Sequence, residues 1–317
     1  MKYDIYFHND LDGRASAAVL LKFLEGRGDA IERYIPVDFD IESKWKKMKF
    51  PAEGRSASRG GNPAIVVDFL YHPKAAFWFD HHPTTFKFKE WKRNFRPSKF
   101  RVWNPKYPSC CHLILDSLVA NFGFKPPRHF RDLVKWLDVL DGGNYESPKQ
   151  TVEMKEPAFQ IEQFINKAGK DPLEWLIRKL AEVPLVNIAQ DPGIRKVMKR
   201  VYKERDKVLR FYLSHLQIYD RVAFIDLVEG DYLDLRYAPY HFYPFLLYVV
   251  FTKKHGREFG VHAGVNPWRR RESNVHIGKL MSKYGGGGHK VVGGLRTNTK
   301  AKAKKITMEI VNFLRKK

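Results

Sequence analysis

"KYDIYFHNDLDGRASAAVLLKFLEGRGDAIERYIPV", residues 2–37, is the stretch from which the fold is read. β-Branched and aromatic residues dominate "KYDIYFH" and "IERYIPV", while "RASAAVLLKFLEGRG" between them spaces its apolar residues for a helix and ends on glycine. The order is strand, helix, strand. Two further apolar runs, "AIVVDF" and "AAFWFD", read as strands, so the prediction is an α/β fold with a mostly parallel sheet and flanking helices. Ligands of such sheets gather at the carboxyl ends of the strands. His8, Asp10 and Asp12 follow the first strand, Asp68 the third, and Asp80, His81 and His82 the fourth, so these groups are placed to converge.

A chain of 317 residues with 44% hydrophobic content exceeds the usual single domain. The reading divides it into a domain at 1–190, a charged linker helix at 191–218 beginning behind Pro192, and a smaller α/β domain at 219–317. In the last part "YDRVAFIDLV", "YPFLLYVVFTKK" and "EFGVHAGVNP" read as strands, "ESNVHIGKLMSKYGGGGH" as a helix leading into a glycine loop, and "KAKKITMEIVNFLRKK" as a terminal helix. Residues 109–141 are helical in pattern, and 145–190 mostly helical. No internal repeat is present.

The longest apolar runs fall well short of the roughly 20 residues of a membrane span, and "MKYDIYFHND" lacks the order of a signal peptide, so a cytoplasmic protein without a membrane partner is expected. Cys110 and Cys111 are adjacent and suit neither a disulfide framework nor a Cys-x-x-Cys site; they read as a buried structural pair. Lys and Arg number 57 against 35 Asp and Glu, a formal charge of +22, which favours a phosphate-rich partner such as nucleic acid or nucleotide. Scattered runs such as "SKWKKMKF" are read as solvated surface. "PAEGRSASRGGNP", residues 51–63, is read as a surface loop whose arginines, Arg55 and Arg59, could reach a substrate.

Particular spacings carry the chemistry. In "HNDLDG" alternation puts His8, Asp10 and Asp12 on one side, and hard oxygens with an imidazole suit Mn²⁺ or Mg²⁺; an Asx turn is the plain alternative. Asp68 alone would be a cap or turn residue. "FDHHP", residues 79–83, resists a packing explanation, because only alternate side chains of a strand can face a core. "WLDVLDGGNY" offers Asp138 and Asp141 one helical turn apart. "KYGGGGHKVVGG", residues 283–294, lets backbone approach a phosphate or base closely, without the order of a P-loop or dinucleotide fingerprint.

With these motifs in this order, the chain resembles the DHH phosphoesterase superfamily, in the branch with a C-terminal DHH-associated domain. "HNDLDG", Asp68 in "VVDF", "DHH", "LDVLDGG" and "GGGGH" carry the resemblance over most of the chain. It implies two Mn²⁺ ions, with Mg²⁺ as substitute, in the first domain. His8, Asp10 and Asp68 would hold one ion; Asp12, a bridging Asp68, His81 and an aspartate of 138–141 the other, with Asp138 preferred to Asp141. Asp80 would orient an imidazole, and His82 would touch the scissile phosphate or its leaving oxygen. Gly286, Gly287, Gly288 and His289 would grip the nucleotide. Relatives carry a Ser-x-Arg segment where this chain reads "VNPWRRRES", and Arg269 is taken as its replacement, with Arg270 and Arg271 as alternatives.

The implied activity is that of a nanoRNase-like or exonuclease-like enzyme: Mn-dependent hydrolysis of short single-stranded RNA or DNA by a metal-activated hydroxide. Alternatives are a phosphatase on adenosine 3',5'-bisphosphate, a cyclic-dinucleotide phosphodiesterase, a polyphosphatase, or a non-catalytic nucleic-acid binder. Trp268 and Tyr284 are candidate stacking residues for which core packing is the competing reading, and a homodimer is compatible with the sequence.

Overall fold

A computed structural model describes residues 1–51, 61–230 and 232–317; most of the 51–63 loop, including Arg55 and Arg59, lies outside the described residues. The chain forms two compact units, one from residues 1–144 and 155–198, the other from 145–154 and 199–317. The helix Pro192–His215 passes from one to the other.

In the first unit, strands β1 (Lys2–His8), β2 (Ala30–Val37), β3 (Ala64–Val67), β4 (Phe77–Asp80) and β5 (Arg101–Trp103) form one sheet in the order β2-β1-β3-β4-β5. All its pairings are parallel. β3 and β4 are buried at every residue, as a parallel sheet covered on both faces requires. The helix Leu11–Glu25 is itself buried along almost its whole length, because it packs on the sheet and against the helices Cys110–Phe122 and Glu174–Glu182. The strand order reverses direction between β1 and β3, and at such a switch point neighbouring crossovers leave to opposite faces and open a crevice at the carboxyl ends.

The second unit holds β6 (Gln217–Tyr219), β7 (Val222–Leu227), β8 (Tyr248–His255), β9 (Glu258–Val265), β10 (Gly287–Gly288) and β11 (Val292–Thr297), in the order β10-β11-β9-β8-β7-β6. Only β7 and β8 pair in parallel. One face packs Val250, Val261 and Leu295 against Ile277, Leu280, Ile306 and Ile310. On the other, Ala223 and Val249 meet Tyr240 and Leu246.

The predicted strands and the linker and terminal helices form; three details differ from the sequence reading. The helical stretch 109–141 breaks into Cys110–Phe122 and Phe130–Leu140, because Gly123 ends the first helix at φ 63° and prolines 126 and 127 follow. The helix read in "ESNVHIGKLMSKYGGGGH" shortens to Ile277–Ser282, which starts where the His276 side chain accepts a hydrogen bond from the Lys279 amide. The glycines after it include an edge strand, β10, rather than only a loop.

Gly13 fixes how the first helix meets β1: a Cβ there would lie 2.1 Å from the His8 carbonyl oxygen. Gly13→Ala is expected to destabilise the protein by about 1–3 kcal/mol through overpacking. Gly26→Ala, whose Cβ would meet nothing nearer than 3.5 Å, should be neutral or mildly stabilising in the same urea titration.

Candidate metal centre

The crevice beyond β1, β3 and β4 brings together carboxylates and imidazoles from four separate segments. Three sets lie within ligand reach of one another: His8, Asp10 and Asp68; Asp68, His81 and His82; and Asp12, His81 and Asp141. Asp68 joins the first two. It is 1% exposed and adopts φ 56°, a left-handed conformation that costs a non-glycine residue energy and recurs at functional sites. One carboxylate oxygen lies 3.8 Å from His8 Nδ1, while the other lies 3.5 Å from His81 Nε2 and 3.6 Å from His82 Nδ1. The carboxylate thus faces two groups of partners at once.

Asp10 does two jobs at the start of the first helix. One oxygen accepts from the Gly13 amide at 2.9 Å, and the other sits 2.5 Å from His8 Nδ1. Despite the opposing effect of burial, contact with His8 and the Gly13 N–H holds its carboxyl below the usual range. Asp12 is fixed by the amino end of the helix Cys110–Phe122, accepting from the Cys110 amide at 2.6 Å and the Cys111 amide at 3.0 Å. Helix-end amides favour an anion, yet burial, and then the Asp141 charge, raise the Asp12 carboxyl to about 7. Asp68 is pushed well above the ordinary range by burial and by Asp12 and Asp10. The carboxylates repel one another.

His81 Nδ1 donates to the Tyr107 carbonyl at 3.0 Å, which leaves Nε2 to face Asp141 at 3.1 Å, Asp68 at 3.5 Å and Asp12 at 3.8 Å. Burial works against its charge, but Asp141, Asp68 and Asp12 outweigh it and raise the imidazole to about 12. His82 Nδ1 lies 2.8 Å from Asp80 Oδ1, so Asp80 orients this imidazole and, against burial, raises its pKa.

The fit to divalent cations rests on these same atoms. His8 Nδ1 and His81 Nε2 face only carboxylate oxygens, at 2.5 Å from Asp10 and 3.1 Å from Asp141, and Asp68 Oδ1 and Asp80 Oδ2 are buried without a hydrogen-bond partner, a crowding of acidic oxygens that a cation would relieve. Carboxylate oxygens with imidazole nitrogens are a donor set for Mn²⁺ or Mg²⁺, and the Tyr107 carbonyl holds His81 in the tautomer that presents Nε2.

Of Asp138 and Asp141, it is Asp141 that lies within ligand reach of Asp12 and His81 among the described residues. Asp138 accepts from Ser109 Oγ at 2.7 Å and contacts His112 Nδ1 at 2.8 Å, partners on and just before the helix Cys110–Phe122. Asp141, just past the helix end, faces His81 instead. Arg269 is also engaged elsewhere, by Glu272 at 2.6 and 3.0 Å and the Pro244 carbonyl at 3.0 Å. In the second unit Gly286 is half-buried, and Gly287, Gly288 and the His289 side chain are exposed. Tyr284 packs against the core, and Trp268 Nε1 donates to the Tyr145 carbonyl.

Sequence reasoning missed three groups. Asp38 lies 4.0 Å from His8 Nε2. Arg14, fully buried, donates to the Asn9 side chain at 2.9 Å and the Asp171 carbonyl at 2.7 Å. The Cys110 and Cys111 amides hold Asp12; the serine before "CCH", a helix-capping residue, was the available signal.

Among solved structures, a pGpG-specific phosphodiesterase, PggH from Vibrio cholerae, superposes over 98% of each chain with a TM-score of 0.73 at 18% identity. The chain shares the fold of that solved structure. RecJ from Thermus thermophilus in complex with Mn²⁺ matches 98% of this chain and 52% of its own length, with a TM-score of 0.54 and 14% identity. An exopolyphosphatase-related protein from Bacteroides fragilis matches 99% of this chain and 92% of its own, with a TM-score of 0.50 and 12% identity. No family model and no curated protein sequence matches the chain. Among the described residues, no helix is long and apolar enough to cross a membrane.

Metal and protons would compete for these carboxylates and imidazoles. Without metal, Asp12 titrates near 7 against about 3.9 for a free carboxylate, so the folded state loses stability as pH rises from about 4 toward 7. His81, at about 12 against about 6.5, contributes stability in full below about 6.5 and loses it as pH rises through 12. Both effects weaken the metal-free protein as pH rises, and bound metal removes the need for those protons. The increase in Tm on adding Mn²⁺ is therefore expected to be larger at pH 8 than at pH 5. By calorimetric titration at pH 8, Asp141→Asn should weaken Mn²⁺ binding more than Asp138→Asn.

Proposed function

We propose that the protein is a metal-dependent phosphodiesterase that hydrolyses short single-stranded oligonucleotides. The observation that carries this reading is the Asp68 carboxylate, whose two oxygens face His8 on one side and His81 with His82 on the other. Such a carboxylate suits two divalent cations. His8, Asp10 and Asp68 would hold one, and Asp12, Asp68, His81 and Asp141 the other. When bound, the pair would supply Lewis acidity and lower the pKa of a water for attack on phosphorus.

The chain's own groups do the rest. The helix-end amides keep Asp12 from rotating away from the crevice. Asp80 holds His82 by Nδ1, so Nε2 is the nitrogen left to donate a proton to a phosphoryl or leaving oxygen. The exposed His289 and the glycines 286–288 are the second unit's proposed contacts to the nucleotide.

A formal charge of +22 supports an oligonucleotide over a small diphosphate, and the likeness to a pGpG-specific enzyme favours the dinucleotide end of that range, with a cyclic dinucleotide as the second reading. Mn²⁺ is the proposed metal, by likeness to the RecJ complex.

The test incubates the protein with Mn²⁺ and a 5'-labelled linear dinucleotide, an RNA pentamer or a cyclic dinucleotide, and follows products over time. Cleavage of the linear substrates is expected, at least 100-fold slower in Asp68→Asn, where asparagine keeps the left-handed backbone accessible. Asp80→Asn should slow it roughly 10–100-fold, as for a residue that orients a contacting imidazole. No metal-dependent cleavage of any of the three would refute the proposal.

A further inference from the structure

In the helical layer of the second unit, a groove of about 340 Å³ is lined from the helix Ile277–Ser282 and from the end of the terminal helix Lys300–Arg315. Its charged lining is of one sign. Lys279, Lys283 and Lys317 line it with His276, and no Asp or Glu among the described residues does. Phe313 gathers two of these cations: Lys283 Nζ lies 5.6 Å and Lys317 Nζ 5.5 Å from its ring centroid. His276 Nδ1 accepts from the Lys279 amide at 3.2 Å, which leaves the neutral imidazole's proton on Nε2 as a further donor.

The groove differs from ordinary basic surface in that its lysines have no acidic partner. Elsewhere in the second unit cations are matched: Arg221 by Glu272, Arg296 by Glu258, Lys300 by Glu229 and Arg315 by Asp220. A groove of the first unit lined by Lys46 and Lys87 pairs both, with Glu90 and Glu42. Among the described residues Lys279, Lys283 and Lys317 form no ion pair, and Glu309, one turn before Phe313, is taken by the Tyr284 side chain. Unmatched cations hold small counterions that a polyanion releases on binding, with a gain in entropy. A concave set of ammonium groups beside an aromatic ring complements a flexible strand of phosphates and bases, whereas a flat bilayer surface would not reach into it.

We propose that this groove binds single-stranded nucleic acid by its backbone, with phosphates held by Lys279, Lys283 and Lys317 beside the Phe313 ring. The contact lies outside the metal-capable crevice, all of whose groups belong to the first unit, and it stands whether or not that crevice cleaves. In an enzyme acting on oligonucleotides it would hold the strand beyond the nucleotides being cut.

The test is fluorescence anisotropy of the full chain with a labelled oligouridylate about 15 nucleotides long, in EDTA so that no strand is cut, over a series of salt concentrations. A Lys279→Gln/Lys283→Gln double variant is expected to bind about tenfold more weakly, with the slope of log K against log salt shallower by about 1.4, as for two lost phosphate contacts on a single strand. Far-UV circular dichroism and the urea midpoint report that the variant is folded, and Lys317→Gln serves if it is not. Lys304→Gln/Lys305→Gln, which removes the same charge from the terminal helix outside the groove, should bind like the wild type. The proposal is overturned if the folded double variant keeps the wild-type affinity and slope, if the control pair loses as much, or if phosphatidylserine vesicles, and not the strand, show the dependence on Lys279 and Lys283. Hydrolysis of a linear dinucleotide with Mn²⁺ should be unchanged in the double variant. A protein that cleaves nothing yet loses strand binding in that variant keeps the groove and loses the catalytic reading; cleavage with no groove-dependent binding does the reverse.

Discussion

Four carboxylates facing one crevice, with Asp68 in their midst, form the constraint from which the rest of the first unit follows. Asp68 has 1% exposure, a left-handed backbone and an oxygen without a hydrogen-bond partner. Each of these is unfavourable in a metal-free protein, and each is explained by one requirement: a carboxylate with oxygens facing in two directions at the end of a buried strand. The neighbours respond to the same charge. Asp12 takes two helix-end amides, Asp10 takes the Gly13 amide, and His81 gives Nδ1–H to a carbonyl.

The sheet makes that concentration of charge attainable. Reversal of strand order between β1 and β3 opens the crevice, and the buried strands hold their ends rigidly. The first helix must then begin almost on top of His8, which a side chain at position 13 would prevent. Stability and chemistry are coupled there: the turn that positions Asp10 and Asp12 also seats a helix buried along nearly its full length.

What could be read from the sequence follows from how local each signal is. Strands and helices of the first unit were legible because their apolar spacing is local, and the candidate ligands because they sit directly at strand ends. The choice between Asp138 and Asp141 was not. Both lie near one helix end, and what separates them is a contact from Asp138 to Ser109 and His112, on a helix distant in sequence. Asp38 and Arg14 escaped for a similar reason: nothing next to them in the chain announces His8 or Asp171 as neighbours. β5 is three residues long, too short for a periodicity to show. The glycine run of 285–288 has no side chains, so nothing in it indicates pairing with Gly293 and Gly294.

Every residue of the three metal-capable sets lies between positions 8 and 141, inside the first unit. The metal-capable groups and the second sheet therefore belong to separate parts of the chain. A chain divided in this way can vary its second sheet in sequence while the cluster of carboxylates and imidazoles stays fixed.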